Sequence, residues 1–313
     1  MKKWLIVGAS LLVLFLVACQ VLIPKNMVVS RSITTNANLN ALVRFLSTDT
    51  NWKKWWPNDE SNKKATDILS LGGRQFSKSE AGYHSFGISI HMDGQVEKSL
   101  LNLFSVGYDS LKIIWSATLH SANNPISKIE LFLRARQISN SFKTVLEALN
   151  SYASKVKNLY GFDIRRDKIQ MEFLVSIRKT ISRYPTTNDI YDMIRSIERH
   201  IATKPVKTEH LPIMHIEAKD SVNYDVLVAV PIDREIPDSG IFITKKILRN
   251  GNILVVEMTG GNYTVQQALK QIDTYASDHR LTNVAIPYQS FMVDRTVVTD
   301  STKWRTLIAY PII

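Results

Sequence analysis

The sequence predicts an α+β protein. An N-terminal transmembrane helix is followed by an antiparallel sheet closed by one long helix, and then by a duplicated strand-helix-strand-strand domain with pseudo-two-fold symmetry. Three observations predict it. Residues 4–24 are apolar almost throughout. Period-two alternation runs through residues 86–119 and gives way to an amphipathic helical stretch. The segment 222–232 recurs eighty positions later as 302–312, each copy an aromatic followed by an aliphatic run closed by Ala-x-Pro-Ile. The repeat extends upstream, where Leu211-Pro212-Ile213 matches Ile286-Pro287-Tyr288 and Tyr184 with its helix matches Tyr263 with its helix.

Composition bounds the function. The 313 residues are 45% hydrophobic and 21% charged, ordinary for folded protein with room for two domains. The net charge of +11 is spread over pairs such as Lys53-Lys54, Lys63-Lys64 and Lys245-Lys246. No basic stripe or motif of a nucleic-acid surface occurs, so no nucleic-acid partner is expected. Anionic lipid near the anchor accounts for the charge as economically. The single cysteine, Cys19, excludes an intrachain disulfide.

Trp4–Pro24 has the length of a membrane-crossing helix. Three readings compete: an uncleaved anchor using the whole run, a lipoprotein signal in which Leu16-Val17-Ala18-Cys19 is a lipobox, and a cleaved signal peptide. Lys2 and Lys3 ahead of the helix put the N-terminus in the cytoplasm and the domains outside. The anchor is assigned to 1–26 and the first folded domain to 27–161. Val28–Thr35 is a strand by β-branched content. Asn36 or Asn38 caps a helix over 39–46. Trp52, Trp55 and Trp56 are too large to leave in water, and read either as core or as the mouth of a cavity. Phe86, Ile88, Ile90 and Met92 alternate, as do Leu111, Ile113, Trp115, Ala117 and Leu119, and Ile129, Leu131 and Leu133 continue the pattern as strands. Gly72-Gly73, Asp93-Gly94 and Asn123-Asn124-Pro125 supply turns. A long helix over 139–160 ends at Gly161.

Strand, short helix, Trp52-x-x-Trp55-x-Pro57, antiparallel strands and a long last helix, opened by Val29-x-Arg31-Ser32-Ile33, resemble the START-like (SRPBCC, polyketide-cyclase-like) superfamily over residues 28–161. That resemblance implies a helix-grip fold, a curved sheet around its last helix with a cavity between them.

Residues 162–167 read as a linker, and the second domain as 167–313, with repeats about 168–232 and 241–313. Strands are expected at 171–178 and 253–258, and helices at 188–201 and 265–279. Gly261-x-Tyr263, Pro287-Tyr288-x-x-Phe291 and Trp304-x-Thr306-x-Ile308-x-x-Pro311-Ile312 resemble the GyrI-like domain, also the effector-binding module of AraC- and MerR-type regulators. The resemblance implies a flat organic ligand in a groove between the halves. Where that family often has a glutamate, this chain has Gln289, with Phe291 in place of a tyrosine. Losing that carboxylate removes the reason to prefer a cation and favours a neutral or apolar ligand. No helix-turn-helix accompanies the domain.

Catalytic constellations are sparse. The seven histidines show no metal-ligand spacing, so no metal and no cofactor are expected. No G-x-S-x-G elbow occurs, and acid pairs such as Asp59-Glu60 read as solvated surface. The best candidate is the aromatic set of the second domain, Tyr184, Tyr224, Tyr263, Tyr288, Phe291 and Trp304, with Gln289 beside it. It reads either as the lining of a groove at the pseudo-dyad or as inter-repeat core. The expected function is a membrane-anchored, non-catalytic protein that binds or senses a small hydrophobic or aromatic molecule, with Trp52 and Trp55 at a second cavity. The rival is a cyclase or hydrolase using Glu257 and Tyr263, and a third class is an interaction protein with collapsed cavities. Oligomeric state is not legible.

Overall fold

The computed structural model describes residues 2–57, 68–92 and 94–313. Asp59-Glu60, Lys63-Lys64 and Asp93 lie outside the described residues. The chain divides into two compact units, Met1–Leu159 and Tyr160–Ile313.

In unit 1, helix α1 (Lys2–Leu22) leads into β1 (Asn26–Thr35), then α2 (Leu39–Ser47) and α3 (Asp49–Trp52). Asn38 caps α2 by accepting from the amides of Asn40 and Ala41. Strands β2 (Ile68–Leu71), β3 (Arg74–Ala81), β4 (Ser85–Met92), β5 (Gln95–Ser105) and β6 (Leu111–His120) complete a sheet ordered β1-β6-β5-β4-β3-β2, and helix α4 (Pro125–Ala153) follows.

The alternating residues face α4 as period two requires. Trp115 stacks on Phe142 at 4.1 Å, and Trp52, Trp56, Phe76 and Phe86 extend the ring cluster. Trp52 and Trp55 are both buried, so the tryptophan element is part of this core.

One expectation is corrected here. Ile129, Leu131 and Leu133 belong to α4, which begins fourteen residues earlier than the sequence pattern placed it. Asn124 caps it with Pro125 in the first turn, and Leu131, Ala135 and Ile138 are its buried stripe. Three alternating apolar residues fit a strand and a helix equally well.

In unit 2, β7 (Arg165–Lys168), β8 (Phe173–Ile181), α6 (Thr187–Ile201), β9 (Ile213–Ala218) and β10 (Tyr224–Ile232) form one repeat; the short α5 (Val156–Tyr160) precedes it. β11 (Ile243–Lys246), β12 (Asn252–Thr259), α7 (Asn262–Asp278), β13 (Tyr288–Phe291) and β14 (Arg305–Pro311) form the other. All eight strands make one sheet, ordered β11-β8-β10-β9-β13-β14-β12-β7. The register reproduces the duplication. Ala229 pairs with Ile213 as Ala309 pairs with Tyr288, and Pro231 with Leu174 as Pro311 with Ile253. The first strand of each repeat is exchanged, β7 onto β12 and β11 onto β8. β7 falls partly in the stretch read as a linker. Its four residues are charged and exposed, so it carries no hydrophobic pattern to read.

The exchange forces the sheet to curl. From β11 to β12 is six strand spacings, about 29 Å if flat. The chain covers it from Lys246 to Asn252, at most about 21 Å fully extended. The β7–β8 connection is shorter still. The two connections cross side by side, with Ile169 N donating to Gly251 O, Asn250 N to Ile169 O and Ile247 N to Glu172 O. Asn250 takes a left-handed conformation (φ 64°) to make the turn, a position asparagine tolerates. Helices α6 and α7 cover the sheet's other face.

Candidate functional site

Strand parity divides unit 2 into two interiors. On the helix side, Val226, Val228, Val230 and Ile232 of β10 meet Ile190, Met193, Ile194 and Ile197 of α6. On the concave side, Leu174, Ile213, Ala229, Ile253, Val255 and Ala309 form a second apolar layer beneath the crossing connections, with Ile169 and Met171.

The concave side is not filled. It holds a groove of about 700 Å³, walled by strand residues such as Leu174, Ile213, Leu227 and Ala229, by the 245–252 connection and by Val284–Ile286. This is the size range of small-molecule pockets. Among the described residues, no acidic one lines it. Its apolar rim is open to solvent: Leu248, Val284, Ile286 and Ile313 are all more than half exposed or nearly so.

Polar residues also line it: the Ser176 hydroxyl is spent on Ile243 O at 3.0 Å, Asn250 and Asn252 belong to the crossing connection, and Tyr288, His215 and Lys245 remain. Tyr288 stands on the floor, and its hydroxyl has no hydrogen-bond partner among the described residues. Burial, reinforced by the Asp167 carboxylate, pushes its pKa up to about 12, so the phenol is a neutral donor across the physiological range. His215 pairs with Leu227 across the strands. Its Nδ1 lies 2.8 Å from Pro287 O, and since a carbonyl only accepts, Nδ1 carries a proton; Nε2 lies 3.9 Å from the Glu217 carboxylate. Lys245 shares the face of Leu174 and stands exposed at the rim. Lys246 is turned the other way, over Phe173 and against Glu172 at 3.3 Å.

Of the aromatic set, the structure brings only Tyr288 to this groove. Phe291 is three residues further along the same strand and therefore on the helix side, as is Gln289. Tyr184 and Tyr224 meet edge to face at 5.3 Å on that side too.

What gathers there is a cage that no sequence motif marks. The Arg295 guanidinium lies 3.5 Å from the Phe291 ring centre and 4.4 Å from that of Trp304, is only 5% exposed, and donates to Thr306 Oγ1 at 2.5 Å. Tyr191 stacks on Phe291, and its hydroxyl accepts from the Arg295 amide at 3.0 Å. Arg295 has no carboxylate partner among the described residues, and its Nε has no acceptor. Burial pulls its pKa down to about 10, with the Tyr191 and Tyr184 hydroxyls opposing the shift. The rings are thus occupied by the chain's own cation. A smaller cleft of about 430 Å³ beside Tyr191 and Phe291 mixes apolar walls such as Ile190, Leu211 and Met292 with Arg195, Glu198 and Asp294.

Tyr263 is 77% exposed on the first turn of α7. Glu257 points to the concave side but is held by Arg165 at 2.7 Å and Arg305 at 3.6 Å. The two residues suspected of chemistry are therefore on opposite faces of the sheet. Trp52 borders a cleft of about 230 Å³ in unit 1 and Trp55 is core. Among the described residues, no group of three His, Cys, Asp or Glu side chains is placed to hold a metal.

No protein-family model and no curated protein matches the chain. Among solved structures it is similar to the EcmrR C-terminal domain, at 16% identity and a TM-score of 0.42, over 49% of this chain and 98% of that one. It is similar to a hydrolase from Listeria innocua at 6% identity and a TM-score of 0.36, over 48% and 91%. It is also similar to the di-domain ARO/CYC BexL of the BE-7585A biosynthetic pathway at 10% and 0.34, over 92% and 85%. The chemistry open to this chain is that of the side chains described above.

Proposed function

We propose that this is a membrane-held, non-catalytic protein whose second unit takes an elongated, uncharged, apolar molecule into the concave groove. The observation that carries the reading is the groove itself: about 700 Å³ with aliphatic walls and, among the described residues, no acidic lining and one unpartnered phenol on its floor. Such a surface gains by being covered, roughly 0.8 kcal/mol per methylene removed from water. The Tyr288 hydroxyl then selects molecules with one acceptor, a carbonyl, ether or hydroxyl oxygen. The enzyme reading loses support because Glu257 is ion-paired and Tyr263 faces away from it. In unit 1 the stacked Trp115 and Phe142 occupy the space between sheet and helix, so the binding role is assigned to unit 2.

The membrane part of the reading rests on α1. Its Trp4–Leu22 span has a mean hydropathy of 2.7 with only 6% of the window buried. An apolar helix of that length, left uncovered by protein, suits lipid. The test of binding is a thermal shift and titration of the detergent-solubilised protein with straight-chain alcohols. Affinity that climbs with chain length supports the reading, and no response to any member of the series refutes it.

A further inference from the structure

The join between α1 and unit 1 is unusually direct. Only Ile23–Lys25 separate the helix from β1. The last turn of α1 is itself built into the unit. Cys19 is 9% exposed, and Gln20 Nε2 donates to Asn123 Oδ1 at 3.1 Å. Lys128, in the first turns of α4, is 6% exposed and donates from Nζ to Gln20 O at 2.5 Å. A buried ammonium is costly without a partner. Here its partner is the carbonyl end of α1, where the helix dipole favours a cation. Beyond the helix, Ser121 N donates to Lys25 O, and His120 Nδ1 lies 2.9 Å from Asn26 Oδ1.

We infer that α1 is a fixed stem, retained in the working protein, that seats unit 1 directly on the lipid surface. The seat is the end of unit 1 that carries Val28 and Val96 of the sheet and Ile126 in the first turn of α4. These three are 71%, 57% and 64% exposed, and the register puts Val28 and Val96 at the same end of the sheet as Asn26 and His120. Exposed Lys25 at the helix exit stands where anionic headgroups would meet it. The opposite end of the sheet also exposes apolar side chains, Tyr83 and Val106. It is one strand length away, about 30 Å at about 3.4 Å per residue. The inference rests on the membrane reading above but not on the groove.

The test uses the full chain in vesicles of phosphatidylcholine and phosphatidylglycerol, in a Cys19→Ala background. An environment-sensitive fluorophore is placed at Ile126→Cys or Tyr83→Cys, with spin-labelled lipid as quencher. At least twofold quenching at position 126 and none at 83 is expected. A six-residue Gly-Ser insertion after Pro24 should leave that pattern intact, because the Gln20 contacts with Asn123 and Lys128 tie the helix to the unit without passing through the inserted residues. Equal, weak quenching at both positions in a chain that resists carbonate extraction overturns the fixed stem and leaves the anchor standing. So does loss of the pattern on insertion. Release of the chain by carbonate overturns both.

Discussion

Leu227→Asp puts the groove at risk without threatening the fold. Leu227 is half-buried on the concave face, between His215 and Arg178 in register. A carboxylate there reaches solvent beside His215 and Arg178, the latter already 4.0 Å from Asp225 on the same face, so the unit should fold, at a cost of about 1 kcal/mol. Binding pays more heavily. The ligand loses an aliphatic wall worth about 1.5 kcal/mol, and its apolar body must approach a carboxylate that resists desolvation. Together these raise Kd about 10- to 100-fold, or about 1.4–2.8 kcal/mol. Isothermal titration with a series of linear alcohols reads it directly. The native protein should gain about fourfold in affinity per methylene, from about 0.8 kcal/mol each, until the groove is filled, with a negative heat-capacity change. Lys179→Asp is the control, since Lys179 pairs with Val226 and faces the helix side. If Leu227→Asp binds like the control, or if affinity is flat with chain length, the ligand does not lie on the concave face.

Three further outcomes follow from the same geometry. Tyr288→Phe should weaken ligands that carry an acceptor oxygen by about 0.5–1.5 kcal/mol, two- to twelvefold, and leave plain alkanes unaffected in competition titrations. Because the folded phenol titrates at about 12 against an ordinary value of 10, its contribution to stability is intact below pH 10 and is lost as pH rises through 12. The phenol's contribution to binding should accordingly be constant from about pH 8 to 10. Arg295→Met should hold stability to within about 1 kcal/mol in denaturant melts, because a flexible thioether can pack between Phe291 and Trp304 without a buried charge. Arg295→Ala should cost about 2–4 kcal/mol by emptying the cage, and equal losses for the two would mean that the charge itself holds the site. Asp189 accepts from Arg183 and completes a capping box with Thr186, which together hold its carboxyl far below the usual carboxylate range. Its contribution is therefore present above about pH 4 and lost on acidification. Asp189→Asn should cost about 1 kcal/mol and flatten that acid limb.

What the sequence made legible was whatever repeats or alternates. The eighty-residue offset of Ala-x-Pro-Ile anticipated the register, down to Ala229 on Ile213 and Ala309 on Tyr288. The stripe Ile190, Met193, Ile194, Ile197 and Ile201 is the buried face of α6. Elements without apolar pattern were hidden: β7 is Arg-Arg-Asp-Lys, and it holds its place by edge pairing to β12 alone. The long helix was begun late because Ile129, Leu131 and Leu133 alternate, while its start lies in the cap Asn124 and in Pro125.

The site was legible only in part, for a reason that period two makes plain. A duplication brings equivalent positions to equivalent places, but it does not bring all aromatics to one face. Tyr288 and Phe291 are three positions apart in one strand, an odd offset, so they must point apart whatever the fold around them. The groove, meanwhile, is made where the two repeats exchange their first strands, and its walls are the connections that the exchange leaves too short to cross a flat sheet. Those connections are Lys168–Phe173 and Lys246–Asn252, ordinary sequence with no motif. The cavity is therefore a property of topology rather than of any conspicuous residue. Its selectivity should shift most when those connections or the small floor residues Ala229 and Ala309 are altered, and least when the caged rings around Arg295 are.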